Sequence, residues 1–164
     1  MGSRIDGNFI FRGIIQFLNI ILPNGCVADK HIGVAAAVQA SKLQHQHRSG
    51  YAQESATTAA AETRIVHVVH GTSGLAKAVK AGCVVPCVGD ATITVDLLKN
   101  GVSILTAAIS LTSAQAAYAL VDGVIDTDTL AAGDVLEMAV AVAPGTGTLG
   151  EGVFAYVDNF EDAA

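Results

Sequence analysis

The amino-acid sequence predicts an all-β fold: a jelly-roll-like β-sandwich preceded by an extended N-terminal arm that contains a short helix. Two observations support this class. Several short segments alternate between apolar and polar residues, as strands with one buried face do, and residues that favour turns separate them. Seven or eight short strands joined by glycine-rich turns are typical of sandwiches and jelly rolls. The arm is assigned to residues 1–62 and the body to residues 63–164.

Asp90–Ile109 gives the clearest prediction, a β-hairpin. Asn100 and Gly101 both tolerate the positive φ that a type I′ turn requires, and they separate two β-rich runs. The run Val102–Ile109 is expected to form the returning strand. The alternation in the first run places Thr92, Thr94 and Asp96 on one face and Ile93, Val95 and Leu97 on the other.

Other segments of the body carry similar patterns. Leu75–Val88 is expected to form one or two strands, broken near Gly82 and Pro86. Ser113–Leu120 has helix-forming residues, but in an all-β body we expect a strand or a loop there. The remaining predicted strands are Thr63–His70, Val135–Val142 and Gly152–Asp158, and the remaining predicted connections are residues 71–74, 127–133 and 144–150.

The arm differs from the body in pattern. Asn8–Leu22 is apolar and loosely alternating, and Asp29 is a plausible N-cap for a helix over roughly residues 30–43. Residues 44–50 are polar and unpatterned, and residues 53–62 resemble a linker. The apolar side chains of the arm have no means of forming their own core, so we expect them to contact another surface. The candidate attachment residues are Phe9, Phe11, Ile15, Phe17, Leu22, Ile32 and Leu43.

Composition and charge limit the possible partners. The formal net charge is −6, and acidic residues concentrate after residue 62, which argues against binding nucleic acid. Only 15% of residues are charged while 51% are hydrophobic, so either apolar surface meets a partner or much of it is exposed alanine. Residues 9–22 are apolar but are interrupted by Arg12, Gln16 and Asn19, so we expect no membrane span.

Gly145–Gly150 matches the dinucleotide-binding pattern G-x-G-x-x-G. That pattern binds a pyrophosphate because a helix N-terminus follows it. Here a strand is expected to follow, so we interpret the segment as a hairpin loop and expect no bound cofactor.

Two clusters are candidates for metal binding. His67 and His70 with Cys83 and Cys87 contain zinc-binding residue types, but two histidines three residues apart on a strand point to opposite faces. Both cysteines are flanked by valine and are expected to be buried thiols, and three cysteines make no disulfide framework. The acids Asp122, Asp126, Asp128 and Asp134 lack the spacing of a calcium-binding loop. We therefore expect no metal and, since no catalytic motif emerges, no enzymatic activity.

Several short segments of the sequence resemble segments of small structural proteins of tailed bacteriophages, namely head decoration (cement) or head-fibre proteins. The resemblance covers roughly residues 8–158. The segments that carry it are residues 89–105, 133–137 and 145–154 in the body and residues 22–25, 40–46 and 51–55 in the arm. It implies a homotrimeric jelly roll on the capsid surface whose N-terminal segment grips the major capsid protein. It also implies residence in the virion, and in the host cytoplasm during assembly. The resemblance supplies no catalytic or ligand-binding residues.

Two other functions compete with this expectation. A carbohydrate- or receptor-binding jelly roll, such as a fibre tip, needs exposed coplanar aromatic side chains, yet the chain has no Trp, three Tyr and five Phe. A small metal-dependent jelly-roll enzyme of the cupin type needs two or three histidines and a carboxylate that converge inside the barrel.

Overall fold

Ten β-strands form the part of the chain that this computed structural model describes, residues 44–162. The all-β prediction is confirmed for these residues. The predicted arm residues before Gln44, including the helix and all seven candidate attachment residues, lie outside the described residues. The strands are β1 Gln44–Ala52, β2 Glu62–Val68, β3 Ser73–Val85, β4 Thr92–Lys99, β5 Val102–Ser103, β6 Ile109–Leu111, β7 Val121–Gly123, β8 Thr129–Ala131, β9 Val135–Ala143 and β10 Glu151–Asp162.

The strands build two antiparallel sheets. In sheet A the order is β1-β10-β3-β7, and β8 also pairs with β3. In sheet B the order is β2-β9-β4-β5, and β6 also pairs with β4. The chain crosses between the sheets repeatedly, so most neighbours within a sheet are far apart in sequence. Each sheet therefore depends on the other for its connectivity.

One hydrophobic core lies between the two sheets. Alternate residues of β4, β9 and β10 point into it, which confirms the period-two patterns seen in the sequence. Fully burying side chains of this size stabilises the fold by about 1.5–3 kcal/mol each. The largest fully buried apolar side chains are Val79 of β3, Ile93, Val95 and Leu97 of β4, Leu111 of β6, Leu136 and Met138 of β9, and Val153 and Val157 of β10.

The predicted turn between β4 and β5 is confirmed. Asn100 has φ 53° and Gly101 has φ 80°, both in the left-handed region that a type I′ turn uses. The Asn100 side chain fixes the turn to its surroundings, because its Nδ2 donates to Asp134 at 2.7 Å and its Oδ1 accepts from the N–H of Val135.

The returning strand of this hairpin is shorter than predicted. Only Val102–Ser103 pairs with the end of β4, and the chain rejoins β4 later as β6. Ile104 and Leu105 are both buried, and two consecutive inward side chains are incompatible with the alternation of a regular strand. The N–H of Ile104 still donates to Leu97 at 3.0 Å before the chain turns away.

The division between arm and body at residue 62 is not where the sheets begin. Residues 44–50, interpreted as polar and unpatterned, belong to β1, which pairs with β10 along its whole length. The strand alternation of these residues was not recognised in the sequence, because the inward residues of β1 are mostly polar. Residues 53–62 are not a free linker either, since the N–H of Gln53 donates to Val153 and the N–H of Ala59 to Gly150.

β3 runs without a break through Gly82, where an interruption was expected, and ends just before Pro86. Gly82 is needed there for close packing. A Cβ atom at this position would lie 2.5 Å from the carbonyl oxygen of Ala119 and 2.8 Å from the Phe154 ring. Two other predictions are refined: residues 113–120 form a loop, and the connection 127–133 contains β8.

Replacing Gly101 by valine is expected to destabilise the body by about 1–3 kcal/mol, because a β-branched residue is strained at positive φ. Backbone strain alone accounts for this loss of stability, since a Cβ at Gly101 would meet no atom within 4 Å. Denaturant unfolding of the purified variant measures the change.

Gly50→Val is the matched control for this substitution. Gly50 lies on β1, and a Cβ there meets only the carbonyl oxygen of Ala155, at 3.9 Å. Its unfolding midpoint is expected to remain close to that of the unsubstituted protein. Equal midpoints for Gly101→Val and Gly50→Val would contradict the role of the turn.

Candidate functional site

The richest cluster of polar side chains lies where β1 of sheet A faces β2 of sheet B. Both are edge strands among the described strands of their sheets. Across the gap between the sheets, the inward side chains of β2 meet those of β1 and of β10, the neighbour of β1 in sheet A. We call this cluster the polar seam; it consists of His47, Ser49 and Tyr51 of β1, Glu62 and His67 of β2, and Asn159 and Glu161 of β10.

Glu161 is the most buried charged group of the seam, with only 2% of the residue exposed. Its Oε1 accepts from Nε2 of His67 and from Nδ2 of Asn159, the latter at 2.8 Å. Its Oε2 accepts from the backbone N–H groups of His70 and Gly71, each at 2.9 Å. Four donors from three parts of the chain therefore converge on one carboxylate.

These donors decide the ionisation of Glu161. Burial by itself raises the pKa of this carboxyl, but the hydrogen bond from His67 and those from the backbone of Gly71 and His70 outweigh it. The pKa falls from 4.5 to about 2. Glu161 is consequently an ionised carboxylate at neutral pH, held inside the protein.

His67 connects this carboxylate to β1. A hydrogen bond between Nε2 and an ionised carboxylate requires the proton on Nε2, because both atoms otherwise present only lone pairs. In the neutral imidazole, Nδ1 then offers its lone pair to the Ser49 hydroxyl, whose Oγ lies 3.3 Å away. The imidazole ring also lies 5.3 Å from that of His47, measured between ring centroids.

Asn159 completes the buried end of the seam. It is fully buried, and its Nδ2 lies 3.2 Å from Nε2 of His67 as well as beside Glu161. Its Oδ1 is the one buried side-chain oxygen or nitrogen within residues 44–162 that has no hydrogen-bond partner. Flipping the amide would place Oδ1 against the Glu161 carboxylate, so the observed orientation is the more favourable one.

The other end of the seam is closed by a tyrosine. The Tyr51 hydroxyl donates to Oε2 of Glu62 at 3.0 Å, and the Arg64 guanidinium lies 5.6 Å from the centre of the Tyr51 ring. Burial, followed by the bond to Glu62, raises the pKa of Tyr51. Its hydroxyl therefore stays protonated and anchors β1 to the start of β2.

A second feature is an aromatic stripe on the opposite face of β10, formed by Phe154, Tyr156 and Phe160. Cations already cover two of the three rings: the Arg48 guanidinium lies 4.7 Å from the Tyr156 centroid and Lys77 Nζ 6.0 Å from that of Phe160. Arg48 is held there by Asp158, at 2.6 and 2.7 Å. The hydrogen bonds from Arg48 lower the pKa of Asp158.

A third feature is apolar exposure. Tyr118 is 67% exposed and has φ 62°, a conformation that is rare and strained for a bulky residue. Its backbone N–H donates to Cys83 at 2.9 Å and thereby fixes the loop against β3. The other large apolar side chains that are more than about two-fifths exposed are Ile65, Val68, Val85, Val88, Val102, Leu120 and Val124.

The structure separates the residues considered as metal ligands. His67 points into the seam, His70 is exposed, and Cys83 and Cys87 are free thiols buried in the core, where burial raises the pKa of Cys83. Within the described part of the chain, no three His, Cys, Asp or Glu side chains are placed to hold a metal ion.

The predicted acidic and glycine-rich motifs have local structural roles. Asp122 pairs with Lys80, and Asp134 accepts from the Ala131 N–H and from Asn100. Asp126 and Asp128 line an open cavity of about 510 Å³ beside Lys77. The loop 145–150 is followed by β10 and not by a helix, as expected for a hairpin loop.

The sequence contained one signal for the seam that was not used. His45, His47, Ser49 and Tyr51 alternate with Gln46, Arg48 and Gly50, which is the period of a strand with a polar inner face. No local signal connects Ser49, His67 and Glu161, since only the sheet pairing brings them together.

Comparison of the chain with models of known protein families and with curated protein sequences gave no match. Residues 44–162 contain no helix that is long and apolar enough to cross a membrane.

Glu161→Gln is expected to lower the free energy of unfolding at neutral pH and to flatten its dependence on acid. A depressed folded-state pKa contributes stability that is present above the unfolded pKa, near 4.5, and is lost as pH falls towards about 2. Each pKa unit corresponds to about 1.4 kcal/mol, so about 3 kcal/mol is at stake. Urea unfolding at a series of pH values measures both proteins.

Asp162→Asn is the control for this measurement, because the Asp162 carboxylate is next to Glu161 in the chain but is exposed and accepts a hydrogen bond from the Ser73 hydroxyl. The other depressed carboxyls are common to all three proteins and cancel in the comparison. An acid dependence of Glu161→Gln that parallels the unsubstituted protein would show that the buried carboxylate does not contribute.

Proposed function

We propose that this protein is a virion structural protein that binds the outer surface of a tailed-phage head and stabilises it, a role that requires no enzymatic activity. The observation that supports this most is the exposure of eight large apolar side chains on a charge-poor body. Exposed apolar side chains mark contact sites where they lie together in one patch, and these side chains are available for contacts with another protein. The resemblance of segments in the body and the arm to decoration and head-fibre proteins points to a capsid as the partner.

The strand order supports the finer expectation of a jelly roll. Successive segments of the chain alternate between sheet A and sheet B, and the first and last described strands, β1 and β10, are neighbours. Two interleaved four-strand sheets with these crossovers are the arrangement of a double Greek key. Each sheet has four strand positions because two short strands share the last one: β5 and β6 both pair with β4, and β7 and β8 both pair with β3.

The proposed mechanism is mechanical. A decoration protein that contacts several shell subunits buries surface on each of them, and this surface must be exposed again before the shell opens. Burial contributes roughly 25 cal/mol for each Å² of apolar surface, so a few exposed valine and leucine side chains per contact add several kcal/mol across a multivalent site. No chemical step is involved.

The attachment element is proposed to precede the sheets. The candidate residues Phe9, Phe11, Ile15, Phe17, Leu22, Ile32 and Leu43 all lie before β1, and they remain predictions for contacts with the major capsid protein. Since β1 belongs to the body, the segment available for attachment is residues 1–43, which is shorter than the predicted arm.

One observation favours the second candidate, a carbohydrate- or receptor-binding module. Phe154, Tyr156 and Phe160 share one face of β10, as the aromatic side chains of a glycan platform do. Arg48 and Lys77 already occupy the faces of two rings, and the Phe154 ring packs against Gly82. A sugar would have to displace these cations, so we place this function second.

The protein is expected to form a homotrimer in solution. Association would cover part of the exposed apolar surface, and the resemblance implies three subunits. Light scattering at micromolar concentration should return three times the chain mass of 16.7 kDa. A single-chain mass that persists as concentration rises would contradict the trimer.

Deleting residues 1–43 is expected to leave a folded body that no longer binds undecorated phage shells. Circular dichroism tests the fold and co-sedimentation with purified shells tests the binding. Deleting residues 1–62 is the informative comparison, because it also removes β1, with its pairing to β10 and the buried Tyr51, and should prevent folding. Full shell binding by the shorter deletion would remove the attachment role from residues 1–43.

A further inference from the structure

We propose that Ser49 is a nucleophile that accepts an acyl group from small carboxylic esters, with His67 as its general base and Glu161 as the residue that positions His67. This activity goes beyond the proposed structural role and is independent of it. The inference rests on the order of contacts in the polar seam: hydroxyl, imidazole, carboxylate.

The contacts match those that activate a serine hydroxyl in hydrolases. Oγ of Ser49 lies 3.3 Å from Nδ1 of His67, and Nε2 on the other side of the same ring contacts the Glu161 carboxylate. In serine proteases the two ring nitrogens have the opposite assignment. Either nitrogen can take the proton when the other carries one, so the exchange does not alter the chemistry.

The carboxylate is unusually well fixed for this purpose. Two backbone N–H groups, those of His70 and Gly71, and the Asn159 amide hold Glu161 in place, so its orientation does not depend on His67 alone. A fixed, ionised carboxylate selects the tautomer with the proton on Nε2 and stabilises the imidazolium that forms when Nδ1 accepts a proton.

The backbone of β1 supplies one donor for the developing oxyanion. The N–H of Gln53 donates to Val153 at 2.8 Å, and the one-to-one register between β1 and β10 continues from there. Antiparallel strands use alternate residues for such bonds, so Ser49 bonds to β10 while the N–H of Gly50 points away from it. Gly50 directly follows the nucleophile, and its N–H faces the edge that no described strand of sheet A covers.

The reaction balances with water as the only co-reactant. Ser49 Oγ attacks the ester carbonyl carbon while its proton moves to Nδ1 of His67. The bond to the alkoxide breaks, and the leaving alcohol takes the proton from Nδ1, which leaves acyl-Ser49. Water then attacks the acyl carbon, gives a proton to Nδ1, and releases the carboxylic acid as that proton returns to Oγ. With one oxyanion donor in place of two, we expect slow turnover, since one such donor is worth about 10²–10³ in rate.

The test uses the full-length protein and p-nitrophenyl acetate. We expect a burst of p-nitrophenol, one acetyl group per chain by intact-mass spectrometry, and peptide mapping of that group to Ser49. Ser49→Ala should abolish the burst and the adduct. Ser110→Ala, on the exposed outer side of β6, is the matched control and should behave like the unsubstituted protein.

His67→Gln tests the base separately from the fold. The glutamine amide can still donate towards Glu161 but offers no lone-pair nitrogen to Ser49, so the burst rate should fall at least about 100-fold. Melting curves show whether the variant is folded. An adduct on lysines alone, or a Ser49 adduct that forms equally fast in His67→Gln, would overturn the proposal. Shell binding should be the same for Ser49→Ala and the unsubstituted protein. A negative result for the acyl transfer therefore leaves the structural role unaffected, and a negative result for shell binding leaves the acyl transfer unaffected.

Discussion

The buried carboxylate of Glu161 is the constraint around which one side of the body is organised. It sits on β10 of sheet A, and its acceptor sites are filled by His67 of β2 in sheet B and by the backbone after β2. An ionised group at this depth costs several kcal/mol of lost hydration unless its hydrogen bonds are complete. The bonds that compensate this cost therefore fix the path of the chain at residues 70–71 and connect β10 of sheet A to the edge strand β2 of sheet B.

The same constraint explains the composition of the edge strand β1. A strand that covers a carboxylate and an imidazole cannot present a purely apolar inner face, because it would leave the remaining polar atoms without partners. His47 and Ser49 continue the polar network of His67, while Tyr51, further along the strand, combines a buried ring with a hydrogen-bonded hydroxyl. The hydrophobic core proper lies beyond these residues, in β4, β9 and β10, where few polar atoms need partners.

The difference between the polar inner face of β1 and the apolar inner faces of the core strands explains which strands could be predicted from the sequence. The strands β4, β9 and β10 were predictable because Ile93, Val95 and Leu97 and their counterparts alternate cleanly with polar residues. β1 was not predicted, because its inner residues are polar and apolar content was the main signal used. The contacts of the seam could not be predicted, because Ser49, His67 and Glu161 become neighbours only through the pairing of β1 with β10 and the approach of β2. Nor does any local signal identify the positive φ of Tyr118, which depends on its bond to Cys83.

The pairing of β10 also gives the body two distinct ends. At one end Gln44 is opposite Asp162, and Gly74 of β3 is opposite Glu161, so residues before β1 join the body beside the seam. At the other end Cys83 is opposite Val153, next to the strained, exposed Tyr118. Eight residues of an extended strand separate Val153 from Glu161, which is about 27 Å. The start of β1 and the exposed Tyr118 therefore lie at opposite ends of β10. A bulky side chain is held at positive φ only where the surrounding structure enforces it, and at Tyr118 the hydrogen bond from its N–H to Cys83 contributes to this.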